Sequence, residues 1–376
     1  MEFRDLKKQY EVLKKEIDAN IFEVVTSAKF ISGPQVKELE ENLAQYVGVK
    51  HCITCANGTD ALTLALMAWN IGPGDAVFVP DFTFFSSGEC PAFEGATPIF
   101  VDVDDRTYNL DPENLDAAIQ KVQKENKLTP KVVITVDLFG LPADYNKIKP
   151  ICEKYGLLLL EDGAQGFGGS VNGKKACSFG DISTTSFFPA KPLGCYGDGG
   201  AIFTDNDEWA AYLRSICVHG KSGSDKYNNI RLGMNSRLDT IQAAVLLPKL
   251  KAFSDHELTD VNKASVWYTQ ELAGTELVLP YVPDGFVSSW AQYTVQLPEN
   301  VDRGALQDKL KEKGIPSMVY YPRPMHLQGA FEGTASEIAE CPITEKLCKT
   351  VLSLPMHPYL DQETVKKVTA QLKELL

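Results

Sequence analysis

Lys191 is the residue whose charge fits its surroundings least well. It lies among aromatic residues, prolines and a glycine at residues 184–194, and no acidic residue occurs between Ile182 and Tyr196. Such surroundings favour the neutral amine, which is a nucleophile for carbonyl groups. The chemistry that this predicts is a Schiff base with pyridoxal phosphate (PLP). The alternative is an ordinary lysine on a surface turn, and the other motifs have to decide between the two.

A PLP site also needs a carboxylate for the pyridine nitrogen of the cofactor. Asp162 lies two residues after the apolar run at residues 157–160, and open α/β sheets bind ligands at the carboxyl ends of their strands. We therefore interpret Asp162 as the candidate carboxylate, with a capping or turn aspartate as the alternative. Gln165, three residues further on, could donate a hydrogen bond to the ring hydroxyl oxygen.

The phosphate and the ring of PLP have candidate partners at other strand ends. Gly58 and Thr59 lie between a predicted strand and a predicted helix, where free backbone N–H groups and a hydroxyl can bind a phosphate. Ser186 is a second hydroxyl donor, and Phe82 could supply a flat surface for the ring. A plain capped turn and a core phenylalanine are the alternatives, since neither GxGxxG nor GxxxxGK[ST] is present.

Short apolar runs alternate with helical patterns between about residues 50 and 205. This alternation predicts an α/β fold with a mostly parallel sheet and helices on both faces. The predicted strands are 51–55, 76–80, 98–101, 132–136, 157–160, 183–187 and 200–203. The predicted helices are 60–69, 84–93, 112–120, 145–155 and 207–217.

The remainder of the chain has a different organisation. Residues 218–235 are rich in Gly, Ser and Asn, which predicts a long functional or mobile loop. Helices are predicted at 238–247 and from Pro248 to about 272, followed by a strand at 293–297 and helices at 303–313 and 362–375. The predicted domains are residues 1–250, a large domain with an N-terminal helical segment, and 251–376, a small α+β domain.

The composition restricts the class of partner. The 376 residues carry a net charge of −13, which argues against binding to nucleic acid or to an anionic membrane. The nine cysteines include a C-x-x-C at Cys52 and Cys55, but residues three apart on a strand point to opposite faces. No matching second pair follows, so we predict no metal site and expect reduced thiols in a cytoplasmic protein.

Four motifs together resemble the sugar-nucleotide aminotransferases of the DegT/StrS type. They are residues 56–62, 161–165, 186–194 and 233–239, and the resemblance extends from residues 30–34 to 353–358. It implies PLP fold type I, the aspartate-aminotransferase-like fold, with a mostly parallel seven-stranded sheet in the large domain and a smaller α+β C-terminal domain. One departure is Gly163, where the family usually has alanine.

The resemblance implies a role for each candidate around the cofactor ring. Lys191 would carry PLP as the internal aldimine and would transfer protons during catalysis. Asp162 would pair with the pyridinium nitrogen, Gln165 would contact the ring hydroxyl, and Phe82 would cover the ring.

The resemblance also implies how the phosphate is bound. Thr59 and Ser186 would bind it, with Gly58 at the same turn. Asn235 would reach the phosphate bound to the neighbouring subunit, so the active form would be a homodimer with two shared sites.

A finer resemblance is to the branch that acts on a UDP-linked 3-keto N-acetylglucosaminuronate. It rests on residues 194–200, 227–233 and 354–360. The chain departs from that branch at Tyr320-Tyr321-Pro322, where the branch tends to have His-Tyr-Pro. Arg231 and Arg237 could bind a carboxylate or a diphosphate, with an interface or capping role as the alternative. The candidate substrate contacts are Arg231, Arg237, Tyr320, Tyr321 and His326.

The reaction that the family implies moves an amino group, usually from glutamate, to a keto sugar nucleotide for amino-sugar and cell-surface polysaccharide biosynthesis. Another substrate, a dTDP-linked 3- or 4-keto-6-deoxy sugar, is an alternative. Related dehydratases have histidine at the position of Lys191, which argues against their chemistry here. A PLP lyase or decarboxylase and a sugar-nucleotide-binding regulator with a vestigial site are the remaining rivals.

Overall fold

The computed structural model describes residues 1–223, 227–337 and 339–376. The strands of this part of the chain are, in order, β1 (His51–Cys55), β2 (Asp75–Pro80), β3 (Thr97–Val101), β4 (Thr129–Val136), β5 (Leu158–Asp162), β6 (Ser170–Val171), β7 (Lys174–Lys175), β8 (Ile182–Ser186), β9 (Gly200–Thr204), β10 (Phe286–Val287), β11 (Tyr293–Gln296) and β12 (Val351–Leu354).

The α-helices of the described residues cover both faces of the main sheet and much of the C-terminal third. They are α1 (Leu6–Ser27), α2 (Pro34–Val47), α3 (Gly58–Ala68), α4 (Ser86–Phe93), α5 (Pro112–Glu125), α6 (Tyr145–Tyr155), α7 (Asp207–Ile216), α8 (Thr240–Ala252), α9 (Leu258–Leu272), α10 (Arg303–Glu312), α11 (Pro342–Thr350) and α12 (Gln362–Leu375).

Seven strands form the main sheet in the order β1-β9-β8-β5-β4-β2-β3. β9 is antiparallel to both of its neighbours, and the other neighbouring pairs are parallel. The prediction of a mostly parallel seven-stranded sheet is confirmed, and the predicted strands differ from the observed ones only at their ends.

Successive residues of the central strands point to opposite faces of the sheet and therefore pack in different cores. Val132 and Ile134 of β4 pack in the core under α3 and α7, whereas Val133 packs in the core under α5 and α6. Burial on both faces explains why these strands read as continuous apolar runs in the sequence.

The region around Pro248 differs from the prediction. Pro248 lies inside α8 rather than at the start of a new helix, and a π-helical segment, Phe253–Glu257, continues directly into α9. A proline cannot donate to the carbonyl four residues before it, which normally interrupts a helix. Here the Asn20 side chain of α1 donates to that carbonyl, of Ala244, at 3.2 Å, so the helix continues.

The C-terminal part has a core of its own, between the antiparallel strand pair β11–β12 and the helices α9, α10 and α12. The helix from α8 to α9 crosses the predicted boundary near residue 250, and the division into 1–250 and 251–376 stays a prediction. The N-terminal segment contacts this part, since Met356 N–H donates to Phe3 O at 3.1 Å.

The nine cysteines are buried and free. Cys52 and Cys55 belong to different cores, as their spacing on β1 predicts. Among the described residues we find no helix with the length and apolar character that a membrane span needs.

Candidate active site

The carboxyl ends of the strands meet at one edge of the sheet, and their register brings the first motifs together. Gly200 of β9 pairs with Ser186 on one side and with Cys55 on the other. The turn that follows Cys55 therefore approaches Ser186, and a methyl group on Gly58 would lie 2.8 Å from Ser186 Cβ. Only glycine allows this approach of the backbone.

The helix α3 begins at this point and is capped by its own sequence. Asn57 Oδ1 accepts a hydrogen bond from Asp60 N–H at 2.8 Å, which satisfies one free donor of the first turn. The other N–H groups of that turn, together with the Thr59 and Ser186 hydroxyls, form a set of donors suited to a phosphate. Thr59 Oγ1 is held 2.8 Å from Ser86 Oγ.

A cleft of about 470 Å³ opens at this edge of the sheet. A cleft of this size lies in the range of small-molecule sites, on the order of 300–1,000 Å³. The predicted site residues that line it are Gly58, Thr59, Asp162, Gln165, Ser186, Lys191, Tyr320 and Tyr321.

Asp162, the last residue of β5, is buried and held in place by two donors. Ser87 Oγ donates to Oδ2 at 2.9 Å, and Ala164 N–H donates to Oδ1 at 3.1 Å. Burial raises the pKa of the carboxyl group, while the Ser87 and Ala164 bonds and the Lys191 charge act in the opposite direction. The carboxylate is thus fixed in orientation and is suited to a cationic ring nitrogen.

Lys191 is half-buried in the same cleft. Burial lowers the pKa of its amine, Asp162 raises it, and the positive charge of Arg4 lowers it again. The sequence argument for a lysine that loses its proton readily therefore has a structural basis.

The Gln165 side chain forms hydrogen bonds with two neighbouring residues. Its Oε1 accepts from Phe139 N–H at 2.9 Å, and its Nε2 donates to the Tyr321 hydroxyl at 3.1 Å. The second hydrogen of Nε2 remains for a ligand, as the predicted contact with a ring hydroxyl requires.

Phe82 does not lie where the prediction puts it. It is 1% exposed and packs against Tyr108, Phe139 and Tyr321 beneath the cleft. Phe84, which is 53% exposed, lines the cleft instead. The chain turns after β2, so the aromatic face comes from the second phenylalanine of the motif.

Four other predicted residues do not line the cleft of this chain. Arg231 stacks on the Tyr212 ring at 4.5 Å, and Asn235 is exposed. Arg237 lies on the same segment, outside the lining residues. The fourth residue, His326, is buried elsewhere.

His326 forms a buried pair with Asp81, which precedes Phe82. Asp81 accepts from His326 N–H at 2.8 Å and lies 2.7 Å from His326 Nδ1. Cys341 brings a third potential metal ligand into this group, with all ligand atoms within 4.8 Å. Because both carboxylate oxygens of Asp81 already bond to His326, we assign the pair a structural role.

Sequence reasoning missed several residues of the cleft. Ser86 lines the cleft, and the buried Ser87 bonds to the lining residue Asp162. Both lie in the first turn of α4, the helix that follows β2, a position that could have indicated them. Asp198 and Gln292 also line the cleft. Gln292 Oε1 is buried without a hydrogen-bond partner among the described residues, which no sequence pattern could reveal.

The departure at Gly163 has a local explanation. A methyl group there would lie 2.6 Å from Cys177 Sγ and 3.1 Å from Thr184 O. The thiol of Cys177 occupies the space that an alanine side chain would need. Glycine at 163 and cysteine at 177 therefore fit each other.

The arrangement fits PLP in each of its parts. It combines a half-buried lysine, a buried and oriented carboxylate, a donor-rich turn at a helix N-terminus and an exposed phenylalanine. The close approach of Gly58 and Ser186 leaves room for a phosphate only because no side chain lies between them.

Comparison with known proteins gives matches over nearly the whole chain. Residues 11–373 match the DegT/DnrJ/EryC1/StrS aminotransferase family. The chain is 46% identical over 374 residues to the UDP-2-acetamido-2-deoxy-3-oxo-D-glucuronate aminotransferase of Pseudomonas aeruginosa, with 99% of each protein covered. It is 41% identical to the UDP-N-acetyl-3-dehydro-alpha-D-glucosamine 3-aminotransferase of Acidithiobacillus ferrooxidans, covering 99% of this chain and 97% of that protein.

Solved structures match equally well. An aminotransferase of the same family from Brucella abortus is 46% identical with a TM-score of 0.95, covering 100% of this chain and 99% of that one. NtdA from Bacillus subtilis, solved with bound cofactor PMP, is 30% identical with a TM-score of 0.86, covering 96% of this chain and 81% of that one. These matches confirm the predicted fold.

Proposed function

The chain belongs to the DegT/DnrJ/EryC1/StrS aminotransferase family and is a PLP-dependent sugar-nucleotide aminotransferase, and we propose that it aminates the 3-oxo group of a UDP-linked 2-acetamido-glucuronate. The amino donor in this proposal is L-glutamate, and the product is an amino sugar for surface polysaccharides. The observation that carries the proposal is the presence of Lys191 and Asp162 in one donor-rich cleft. The names of the relatives from P. aeruginosa and A. ferrooxidans support a UDP sugar oxidised at C3.

Bound PLP supplies the electron sink that allows an amino group to leave one carbon and join another. In our proposal the first turn of α3, Thr59 and Ser186 would hold its phosphate, and Phe84 would supply an apolar surface for its ring. Asp162 holds a proton on the ring nitrogen, since a buried carboxylate with two fixed donors remains the favoured partner of a cation.

Lys191 serves as covalent anchor and as proton carrier. Its Nζ would hold the cofactor aldehyde between reactions and, once free, would act as the base and acid that carries a proton between two carbons. Burial lowers the pKa of this amine, which favours the neutral form that can accept a proton.

Gln292 and Tyr320 are our candidate contacts to the sugar. Both line the cleft, and the unpaired Gln292 amide oxygen would gain a partner from a hydroxyl or acetamido N–H of the substrate. A buried polar group without a partner costs about 1–3 kcal/mol, so a substrate that pairs with it is favoured over one that does not. Tyr320 stands where the resembled branch tends to have histidine.

The second half of the site is proposed to come from another subunit of a homodimer. Asn235, Arg231 and Arg237 lie on one segment outside their own cleft, and this segment also exposes Leu232 (89%) and Ile230 (54%). Apolar side chains exposed to this degree are typical of surfaces that a partner covers. In the dimer, Asn235 would reach the cofactor phosphate in the neighbouring subunit. Arg231 and Arg237 would bind the diphosphate or the uronate carboxylate of the substrate.

A reverse half-reaction tests the substrate. The purified PLP form should absorb near ~420 nm through the cofactor bound to Lys191, and borohydride should bleach this band irreversibly. We expect UDP-2-acetamido-3-amino-2,3-dideoxyglucuronate to convert the band rapidly. The matched analogue with a neutral C6 hydroxymethyl group should react more slowly.

The outcomes separate the alternatives. A faster reaction with a dTDP-linked amino-6-deoxy sugar would favour that substrate class instead. A protein that gains no such band with added PLP would contradict the enzyme assignment and favour a regulator. If Arg237→Ala discriminated the uronate from the neutral sugar as well as the wild type does, the carboxylate contact would be wrong.

A further inference from the structure

Two cationic side chains form hydrogen bonds with the backbone of the loop that carries Lys191. Arg4 Nη2 donates to Pro192 O at 3.2 Å, and Lys249 Nζ donates to Gly194 O. These carbonyls belong to the first and third residues after Lys191. Within the loop, Lys191 N–H bonds to Phe188 O at 2.8 Å. At its far end, Tyr196 N–H donates to Gln242 Oε1 at 2.8 Å.

Lys249 is an unusual residue for the interior of a helix. It is 1% exposed and lies on α8, with its ammonium group 5.1 Å from the centre of the Tyr196 ring. None of the ion pairs found among the described residues involves Lys249 or Arg4. Burial lowers the pKa of Lys249 to about 8, which shows that its position is unfavourable for a cation. Burying an ammonium group is costly unless it is hydrogen-bonded, and Lys249 has such a bond to Gly194 O of the loop.

Arg4 connects the loop to the C-terminal part of the protein. Its neighbour Phe3 accepts a backbone bond from Met356, and Gln9 Nε2 donates to Glu257 at 3.0 Å. Glu257 also accepts a bond from the Tyr359 hydroxyl. The N-terminal segment is therefore fixed on a second surface, so Arg4 can hold the loop against a rigid support.

We propose that Arg4 and Lys249 are positioning residues, which hold the backbone of residues 188–196 so that the Lys191 amine stays in the cleft with Asp162. This proposal rests on the role of Lys191 given above and does not depend on the identity of the sugar. Arg4 has a second effect, because its positive charge also lowers the pKa of Lys191. Asp162 and Arg4 are the charged groups that act on this amine.

The test uses Lys249→Met, which keeps much of the side-chain volume and removes the donor. Lys251→Met is the matched control, since Lys251 lies on the same helix but is exposed and paired with Asp255 at 3.1 Å. Two quantities are measured on the full-length protein. They are the hydrogen–deuterium exchange of residues 188–196 without cofactor and the dissociation constant of PLP.

We expect Lys249→Met to raise both the exchange rate of the loop and the PLP dissociation constant by about ten-fold or more, the effect of losing a charged hydrogen bond. Lys251→Met should match the wild type, and Lys249→Arg should recover most of the loss. A Lys249→Met protein with wild-type exchange in the loop and wild-type PLP affinity would overturn the proposal.

Arg4→Met provides a second test that does not depend on the folding of the Lys249 variant. It should loosen the loop and shift the pH titration of the Lys191-bound cofactor band to higher pH, because a nearby positive charge is lost. An unshifted titration together with an unchanged loop would refute the role of Arg4. If borohydride fails to attach the cofactor to Lys191 in the wild type, the proposed function fails first, so the two failures are distinguishable.

Discussion

Two regions of the chain, the strand ends at the cleft and an outer arm outside it, are built in opposite ways. On the strand-end wall, which we define as Ser87, Asp162 and Gln165, each side chain is fixed by hydrogen bonds within the chain. On the outer arm, residues 227–237, Asn235 and Leu232 project towards solvent. The chain therefore completes the wall by itself, and we infer that it leaves the arm for a second copy.

The largest effect on the wall is expected from Lys191→Ala. The variant loses both the covalent anchor and the proton carrier, and proton transfer by a positioned side chain alone contributes about 10²–10⁴-fold in rate. Transamination should become undetectable and the band near ~420 nm should vanish. A spectrophotometric assay measures both. A variant that keeps the band would show that another lysine holds the cofactor.

Asp162→Asn and Ser87→Ala form a graded pair on the same wall. Asp162→Asn removes the charge that keeps the ring nitrogen protonated, and we expect kcat to fall about 10²–10³-fold. Ser87→Ala removes only one of the two bonds that orient the carboxylate, and a loss of about ten-fold is expected. Equal losses in the two variants would mean that orientation, rather than charge, is the contribution of Asp162.

Mixing Lys191→Ala with Asn235→Ala subunits tests the outer arm. Each variant alone should be impaired, but a mixed dimer contains one site with Lys191 from one chain and Asn235 from the other. Random reassociation should then restore about a quarter of the wild-type activity, as two-fold symmetry requires. Failure to recover any activity, with mixed dimers verified by mass spectrometry, would place Asn235 in its own chain's site.

Gly163→Ala is expected to have the smallest effect, on stability rather than on the reaction. The added methyl group meets Cys177 Sγ, and overpacking of a core costs about 1–3 kcal/mol of unfolding free energy. Cys177→Ala in the same chain should return part of this loss by removing the sulfur. Chemical denaturation measures the difference, and an unaltered Gly163→Ala midpoint would show that the wall tolerates repacking.

The parts of the wall that the sequence predicted are those set by local pattern. Continuous apolar runs locate the buried strands, and Asp162 and Ser186 lie at the ends of two of them. Phe82 and Phe84 have the same side chain two residues apart, so pattern cannot distinguish them, and only the turn after β2 decides which one lines the cleft.

Contacts between distant segments could not be predicted from the sequence. The continuation of α8 through Pro248 depends on Asn20, 224 residues from the carbonyl of Ala244 that it satisfies. The hydrogen bond from Arg4 to Pro192 O likewise joins residues that are 188 positions apart in the sequence. The composition of residues 218–235 predicts a long functional or mobile loop, of which residues 224–226 lie outside the described part of the chain. The role that we propose for the exposed side chains of the outer arm needs a second subunit, which a single sequence does not describe.

The unbroken helix from α8 to α9 has a thermodynamic consequence. Leu246 and Leu250 at one end belong to a core of the main sheet, and Val261 and Tyr268 at the other end belong to the C-terminal core. Both cores pack against this one helix. If either core unfolded, the helix would lose part of its packing, and the other core would be destabilised as well. The two halves should thus denature as one cooperative unit, with a calorimetric enthalpy equal to the van't Hoff enthalpy.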